Sequence, residues 1–99
     1  NEIKDYVKKH YNDPNLNIAT LADTMDFSRD YISKMFKLQT GMSLLEYMNS
    51  VRIEKACELL ANGSCNISEV AEKIGYSNMT TFIRVFTKYK GTTPGRYRI

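Results

Sequence analysis

The sequence predicts an all-α chain of about seven helices. Three observations carry that expectation. Apolar residues recur at helical spacing along nearly the whole chain. The segments so marked open on residues that cap helices and close on glycine or on Asn, Pro and Gly clusters. No stretch shows the strict alternation of a strand.

In chain order, Ile3, Tyr6, Val7, His10 and Tyr11 share one face of a first helix, which Asn12-Asp13-Pro14-Asn15 ends. Asn17 caps a second, with Ile18, Leu21, Ala22 and Met25 turned inward. Ser28 caps a third, which buries Tyr31, Ile32, Met35 and Phe36 and stops at Gly41. Ser43-Leu44-Leu45-Glu46 reads as a capping box opening a long fourth helix. Leu44, Tyr47, Met48, Val51, Ala56, Leu59 and Leu60 keep its period to about Ala61, before the break at Asn62-Gly63-Ser64. Asn66, with Glu69 three residues on, caps a fifth helix carrying Ile67, Val70, Ala71 and Ile74 up to Gly75. Ser77 or Asn78 caps a sixth, with Phe82, Val85, Phe86 and Tyr89 facing in as far as Gly91. Thr93-Pro94 opens a short last helix that holds Tyr97. By spacing, Tyr6, Tyr11, Tyr31, Tyr47, Tyr76 and Tyr97 are mostly core residues.

The chain also repeats itself. Ile18, Leu21, Ala22 and Met25 recur 49 residues later as Ile67, Val70, Ala71 and Ile74, and Phe27 recurs as Tyr76. The offset then becomes 50: Ser28, Ile32, Lys34, Met35, Phe36, Gly41, Ser43 and Tyr47 return as Asn78, Phe82, Arg84, Val85, Phe86, Gly91, Thr93 and Tyr97. The slip of one residue falls in a turn, where an insertion is cheapest. Each copy is a short helix, a tight turn and a second helix, with a small residue, Ala22 or Ala71, at the crossing. The turn calls for a left-handed residue. Gly75 adopts that freely, whereas Asp26, at the matching place, does so with less ease. Two helix-turn-helix subdomains are therefore expected, over residues 1–42 and 62–99, joined by a linker helix over 43–61 within a single binding region.

With one stripe of each second helix buried, the opposite stripe is free to enter a major groove. In the first copy the free residues are Arg29, Asp30, Ser33, Lys34 and Lys37; in the second they are Met79, Thr80, Ile83, Arg84 and Thr87. Ile83 would meet a thymine methyl there, stand as a stray surface isoleucine or extend the core. The linker spans about 27 Å as a helix, and successive major-groove faces lie about 34 Å apart. A rod of that length with its flanks suits two helices, about 29–39 and 79–89, in neighbouring grooves of one duplex.

Composition narrows the function classes. A hydrophobic fraction of 42% and a charged fraction of 25% are those of a globular chain of one ordinary domain. No apolar run approaches the roughly 18 residues of a membrane span. Net charge is +3, and the distribution is uneven. From Ser77 onward the charges are Arg84, Lys88, Lys90, Arg96 and Arg98, with no acid. Such an end suits a polyanion, as it also suits plain surface charge. One His, no metal-ligand cluster and no nucleophile–base pair argue against an enzyme, a metal or a cofactor. Cys57 and Cys65 match no zinc or redox spacing. Cys57 is placed in a helix as a small apolar residue and Cys65 in a polar loop, and both fit a reducing cytoplasm. The first residue is Asn, so a fragment of a longer protein is expected.

The whole string resembles the DNA-binding domain of the AraC/XylS family of bacterial transcription regulators. The resemblance runs over residues 3–98. It rests on Leu21-Ala22, Ser28 with Tyr31-Ile32 and Met35-Phe36-Lys37, Gly41 and Ser43, Tyr47, Arg52, Ala56, Leu59-Leu60, Ile67 and Val70-Ala71. It continues through Gly75-Tyr76, Phe82, Arg84, Phe86, Gly91, Pro94 and Tyr97-Arg98. It implies a bi-lobed, homeodomain-like all-α fold whose third and sixth helices enter adjacent major grooves of double-stranded DNA. By position it implies base reading by Asp30, Ser33 and Lys34, then Met79, Thr80, Ile83 and Arg84, with Arg29 and Thr81 nearby. Asp30 is acidic against a polyanion: it accepts from a cytosine amino group or supports the first turn of its helix. Phosphate contacts are expected from Lys37, Lys88, Lys90 and Arg96. Arg52 and Arg98 either touch DNA or brace neighbouring carbonyls. The resemblance further implies an upstream sensor or receiver domain, RNA polymerase as a partner and a cytoplasmic location. The competing expectation is a helical protein-interaction module; it accounts for the amphipathic helices but not for two matched free stripes.

Overall fold

The structure is a computed structural model and describes residues 2–63 and 65–98. Ser64, part of the expected break, lies outside them. Among the described residues the chain forms α1 (Glu2–His10), α2 (Ile18–Met25), α3 (Arg29–Thr40), α4 (Leu44–Asn62), α5 (Ile67–Lys73), α6 (Met79–Lys90) and α7 (Pro94–Arg98). No strand occurs among them. The body is elongated, 42 × 22 × 21 Å.

The caps explain where the helices begin. Asn17 and Ser43 accept from the backbone N–H of Thr20 and Glu46, whose side chains reach back to the cap amides. Asn66 and Glu69 form the same reciprocal pair at α5. Ser28 accepts from Tyr31 N–H, and Asn78, not Ser77, accepts from Thr81 N–H. Each cap satisfies a donor that helix geometry leaves unpaired and contributes about 1 kcal/mol. The linker α4 runs one residue past the expected end, to Asn62, with Gly63 left-handed behind it.

Two cores lie along α4. Val7, Leu16, Leu21, Ala22, Ile32 and Phe36 pack with Leu44 and Met48 from its first half. Ile53, Ala56, Cys57 and Leu60 from its second half pack with Cys65, Val70, Ala71, Ile74, Tyr76, Phe82 and Phe86. At 3.6 residues per turn the two α4 stripes point about 150° apart. One helix therefore serves two cores on opposite faces, with Phe36 fully buried in the first and Phe82 and Phe86 in the second, worth about 1.5–3 kcal/mol apiece.

The repeat is structural. Ile32, Phe36 and Leu44 are buried, and so are Phe82, Phe86 and Pro94 fifty positions on. The Phe36 and Tyr47 rings meet at 5.4 Å, and so do Phe86 and Tyr97. Each repeating unit thus takes three helices and the start of a fourth. The second half of α4 plays for α5 and α6 the part that α1 plays for α2 and α3.

Several expected burials fail. Tyr31 is exposed because its ring stacks on Phe27 at 4.8 Å at the surface instead of turning into the core. Tyr89 and Tyr97 are each more than a third exposed; Tyr89 spends its hydroxyl on the Glu46 carbonyl (3.3 Å). His10 is exposed against the Tyr6 ring (4.2 Å), at the last turn of α1, where the apolar stripe has run past the core. Cys65 is buried, because its loop folds onto the second core, under Lys73, whose Nζ lies 3.3 Å from its Sγ.

Candidate nucleic-acid interface

Each unit presents its second helix through the same turn. The Phe27 N–H donates to Ala22 O (3.1 Å), and Tyr76 N–H to Ala71 O (3.0 Å). Asp26 is the one non-glycine with positive φ among the described residues, at φ 58°, and holds the place that Gly75 holds at φ 98°. The expected left-handed turn is therefore present in both copies. In the second copy glycine serves a further purpose: a Cβ on Gly75 would stand 2.5 Å from the Tyr11 carbonyl oxygen and 3.2 Å from Arg52 Nε. Phi alone does not demand that; the neighbouring segment does.

These turns leave matched faces on α3 and α6. Arg29, Asp30, Ser33, Lys34 and Lys37 are exposed on the first, and Met79, Thr80, Ile83 and Arg84 on the second; Thr81 is half-buried. Ile83 stands 37% exposed, so it does not extend the core. Asp30 lies in the first turn of α3, where a carboxylate complements the helix dipole.

Of the expected phosphate-facing cations, Lys37, Lys88 and Arg96 are exposed. Lys37 and Lys88 both act on the Glu46 carboxylate, after the Ser43 amide that chiefly lowers its pKa. The end of α6 reaches the start of α4 through the Tyr89 hydroxyl, which donates to the Glu46 carbonyl. Lys90 differs: its Nζ lies 2.9 Å from Glu54 Oε1, which raises its pKa.

Arg52 and Arg98 brace the fold. Arg52 is buried at 7% exposure. Its Nε donates to Tyr11 O (2.8 Å) and its Nη2 to Asp13 O (3.0 Å). Its guanidinium lies 5.2 Å from the centre of the Tyr76 ring. Arg98 donates to the Cys65 carbonyl. The Tyr76 hydroxyl in turn donates to Asn49 Oδ1 (2.8 Å), and burial pushes its pKa up to about 12. Sequence reading missed Tyr76 as a partner of Arg52 and Asn49 as a partner of Tyr76; the available signal was a lone arginine at a buried register of α4. Among the described residues no cluster of three or more His, Cys, Asp or Glu is placed to hold a metal, and no helix is long and apolar enough to cross a membrane.

A pair of helix-turn-helix units with matched free faces, mounted on one shared helix, defines the class: a tandem helix-turn-helix domain. A family model described as a helix-turn-helix domain matches residues 21–99. The chain belongs to the AraC/XylS family of DNA-binding domains. It is 30% identical over 98 residues to the Msm operon regulatory protein of Streptococcus mutans, covering 99% of this chain and 35% of that protein. The C-terminal domain of AraT, a response regulator from Geobacillus stearothermophilus, superposes with a TM-score of 0.95 at 33% identity, covering 98% of this chain and 80% of that one. The DNA-binding domain of AdpA, a global transcriptional factor solved in complex with a target DNA, superposes at 0.90 with 25% identity, covering 98% and 86%. The chain thus spans about a third of the length of the Msm operon protein.

Proposed function

We propose that this domain holds a specific site on double-stranded DNA and so regulates transcription, with α3 and α6 in successive major grooves. The observation that carries this is the pair of exposed faces related by the 50-residue repeat, Asp30, Ser33 and Lys34 on one and Thr80, Ile83 and Arg84 on the other. In this reading Arg29, Asp30, Ser33, Lys34, Met79, Thr80, Thr81, Ile83 and Arg84 face base edges, and Ile83 meets a thymine methyl. Lys37, Lys88 and Arg96 face phosphates. Lys90 adds less, because Glu54 already holds its charge. The subdomain boundaries follow the two cores, with α4 as the joint.

A sensor or receiver domain reads the signal, in keeping with the response regulator that supplies the AraT domain. RNA polymerase is the partner through which a bound domain acts, and a chromosomal target places that work in the cytoplasm. The test is selection from random duplexes at several salt concentrations. Recovery of a two-part site, with half-sites about one helical turn apart, is expected. Binding without sequence preference overturns the reading.

A further inference from the structure

Beside the Tyr89 hydroxyl on the Glu46 carbonyl, the two units also meet at a junction built on a buried arginine. Three pieces meet there: the exit of α1 (Tyr11–Asp13), the middle of α4 (Asn49 and Arg52) and the α5–α6 turn (Gly75 and Tyr76). Arg52 is bonded to two carbonyls of the first piece and lies over the ring of the third. Tyr76 returns a hydrogen bond to α4. Gly75 admits the Tyr11 carbonyl where any Cβ would collide with it. Carbonyl, guanidinium, ring and amide thus close a circuit that fixes the second turn against the first unit. The first unit has no counterpart. At the 49-residue offset that holds up to the turn, the position matching Arg52 is Ile3, an apolar residue partly buried against the first core, and the counterpart of Tyr76 is the half-exposed Phe27.

A planar guanidinium making two directed bonds resists rotation far better than apolar contacts of similar area. The turn it holds leads directly into α6, whose cap, Asn78, is two residues beyond Tyr76. A small rotation at this point swings the whole recognition helix. On DNA the cost of a wrong angle is large, because one inserted base pair moves the next half-site by about 3.4 Å along the axis and about 35° around it.

We propose that the Arg52–Tyr76–Asn49 junction is the ruler of this domain: it sets the spacing and angular phase of the two half-sites that α3 and α6 accept. This rests on the two-groove reading above. Two sites joined rigidly bind with high effective concentration at one geometry and little at others, whereas a loose joint lowers the peak and broadens it. Arg52 is thus a positioning residue. It governs which arrangement of half-sites is bound, not which bases.

The test uses duplexes carrying the selected half-sites at native spacing, the same with one base pair inserted between them, and the second half-site alone. Wild type is expected to lose at least about tenfold in affinity on the insertion. Arg52→Met is expected to bind the native duplex more weakly, to lose less than about threefold on the insertion, and to bind the lone half-site unchanged. Arg52→Lys, which keeps the charge but not the fork, falls between. Tyr76→Phe and Asn49→Ala each remove one hydrogen bond and carry the same comparison if Arg52→Met does not fold. A variant series that weakens every duplex equally, with the insertion ratio of wild type, overturns the ruler. A wild type that binds both half-sites no better than one overturns the two-groove reading itself, and the ruler with it.

Discussion

In the first unit the turn residue is Asp26, exposed and left-handed, followed by Phe27 with half its surface in solvent. In the second the matching residues are Gly75 and Tyr76, both buried beneath the exit of α1 and Arg52. The backbone bond across the turn is the same in both, 3.1 and 3.0 Å. The same bond across the turn is therefore reached under different constraints. A turn at the free end of the molecule needs only a residue that tolerates positive φ, and Asp is one of the few that does. A turn at the joint must also admit another segment's backbone, and only glycine does that. Asp26 adopts its left-handed turn with less ease than glycine, and location adds a second constraint: the second turn must also admit another segment.

The largest effect should come from that constraint. Gly75→Ala adds a Cβ into the Tyr11 carbonyl at a positive φ and should destabilise the domain by about 2–4 kcal/mol in urea unfolding. A loss below that of an ordinary surface change would show that the junction yields. Next is base reading. Arg84→Ala should weaken the selected site by about 1–3 kcal/mol and relax preference at its position, whereas Lys34→Ala, in the unit that carries Asp30, should cost less than about 1 kcal/mol. Equal losses in a binding titration would erase the asymmetry between the units. Asp26→Gly should move the other way and stabilise by about 0.5–1 kcal/mol, with site preference unchanged. The smallest effects are electrostatic. Lys88→Ala should weaken all duplexes alike and reduce the salt slope by about one, and Lys90→Ala should change the slope less because Glu54 already holds its charge.

Most of the frame was legible. Caps such as Ser43 with Glu46 and Asn66 with Glu69 act within three residues, so spacing alone locates them. The repeat exposed both turns and both free helix faces, because a residue's side of a helix follows from its register. Tyr31, Tyr89 and His10 were misplaced for the complementary reason. Helical period says which residues share a face, not where along the helix the neighbouring core ends. Cys65 was misjudged because the loop's polarity hid the core it lies on.

By itself, then, the sequence determined the helices, their caps, the duplication and the pair of faces offered outward, since each depends on contacts between residues close in the chain or on periodicity. Tertiary structure decided how the two units are held to one another. Arg52 reaches Tyr11 and Asp13 across some forty positions, and Tyr76 reaches Asn49 across 27. Such bonds depend on where α4 carries the second core relative to the first. No local pattern encodes that, because it arises only when both stripes of α4 are buried at once.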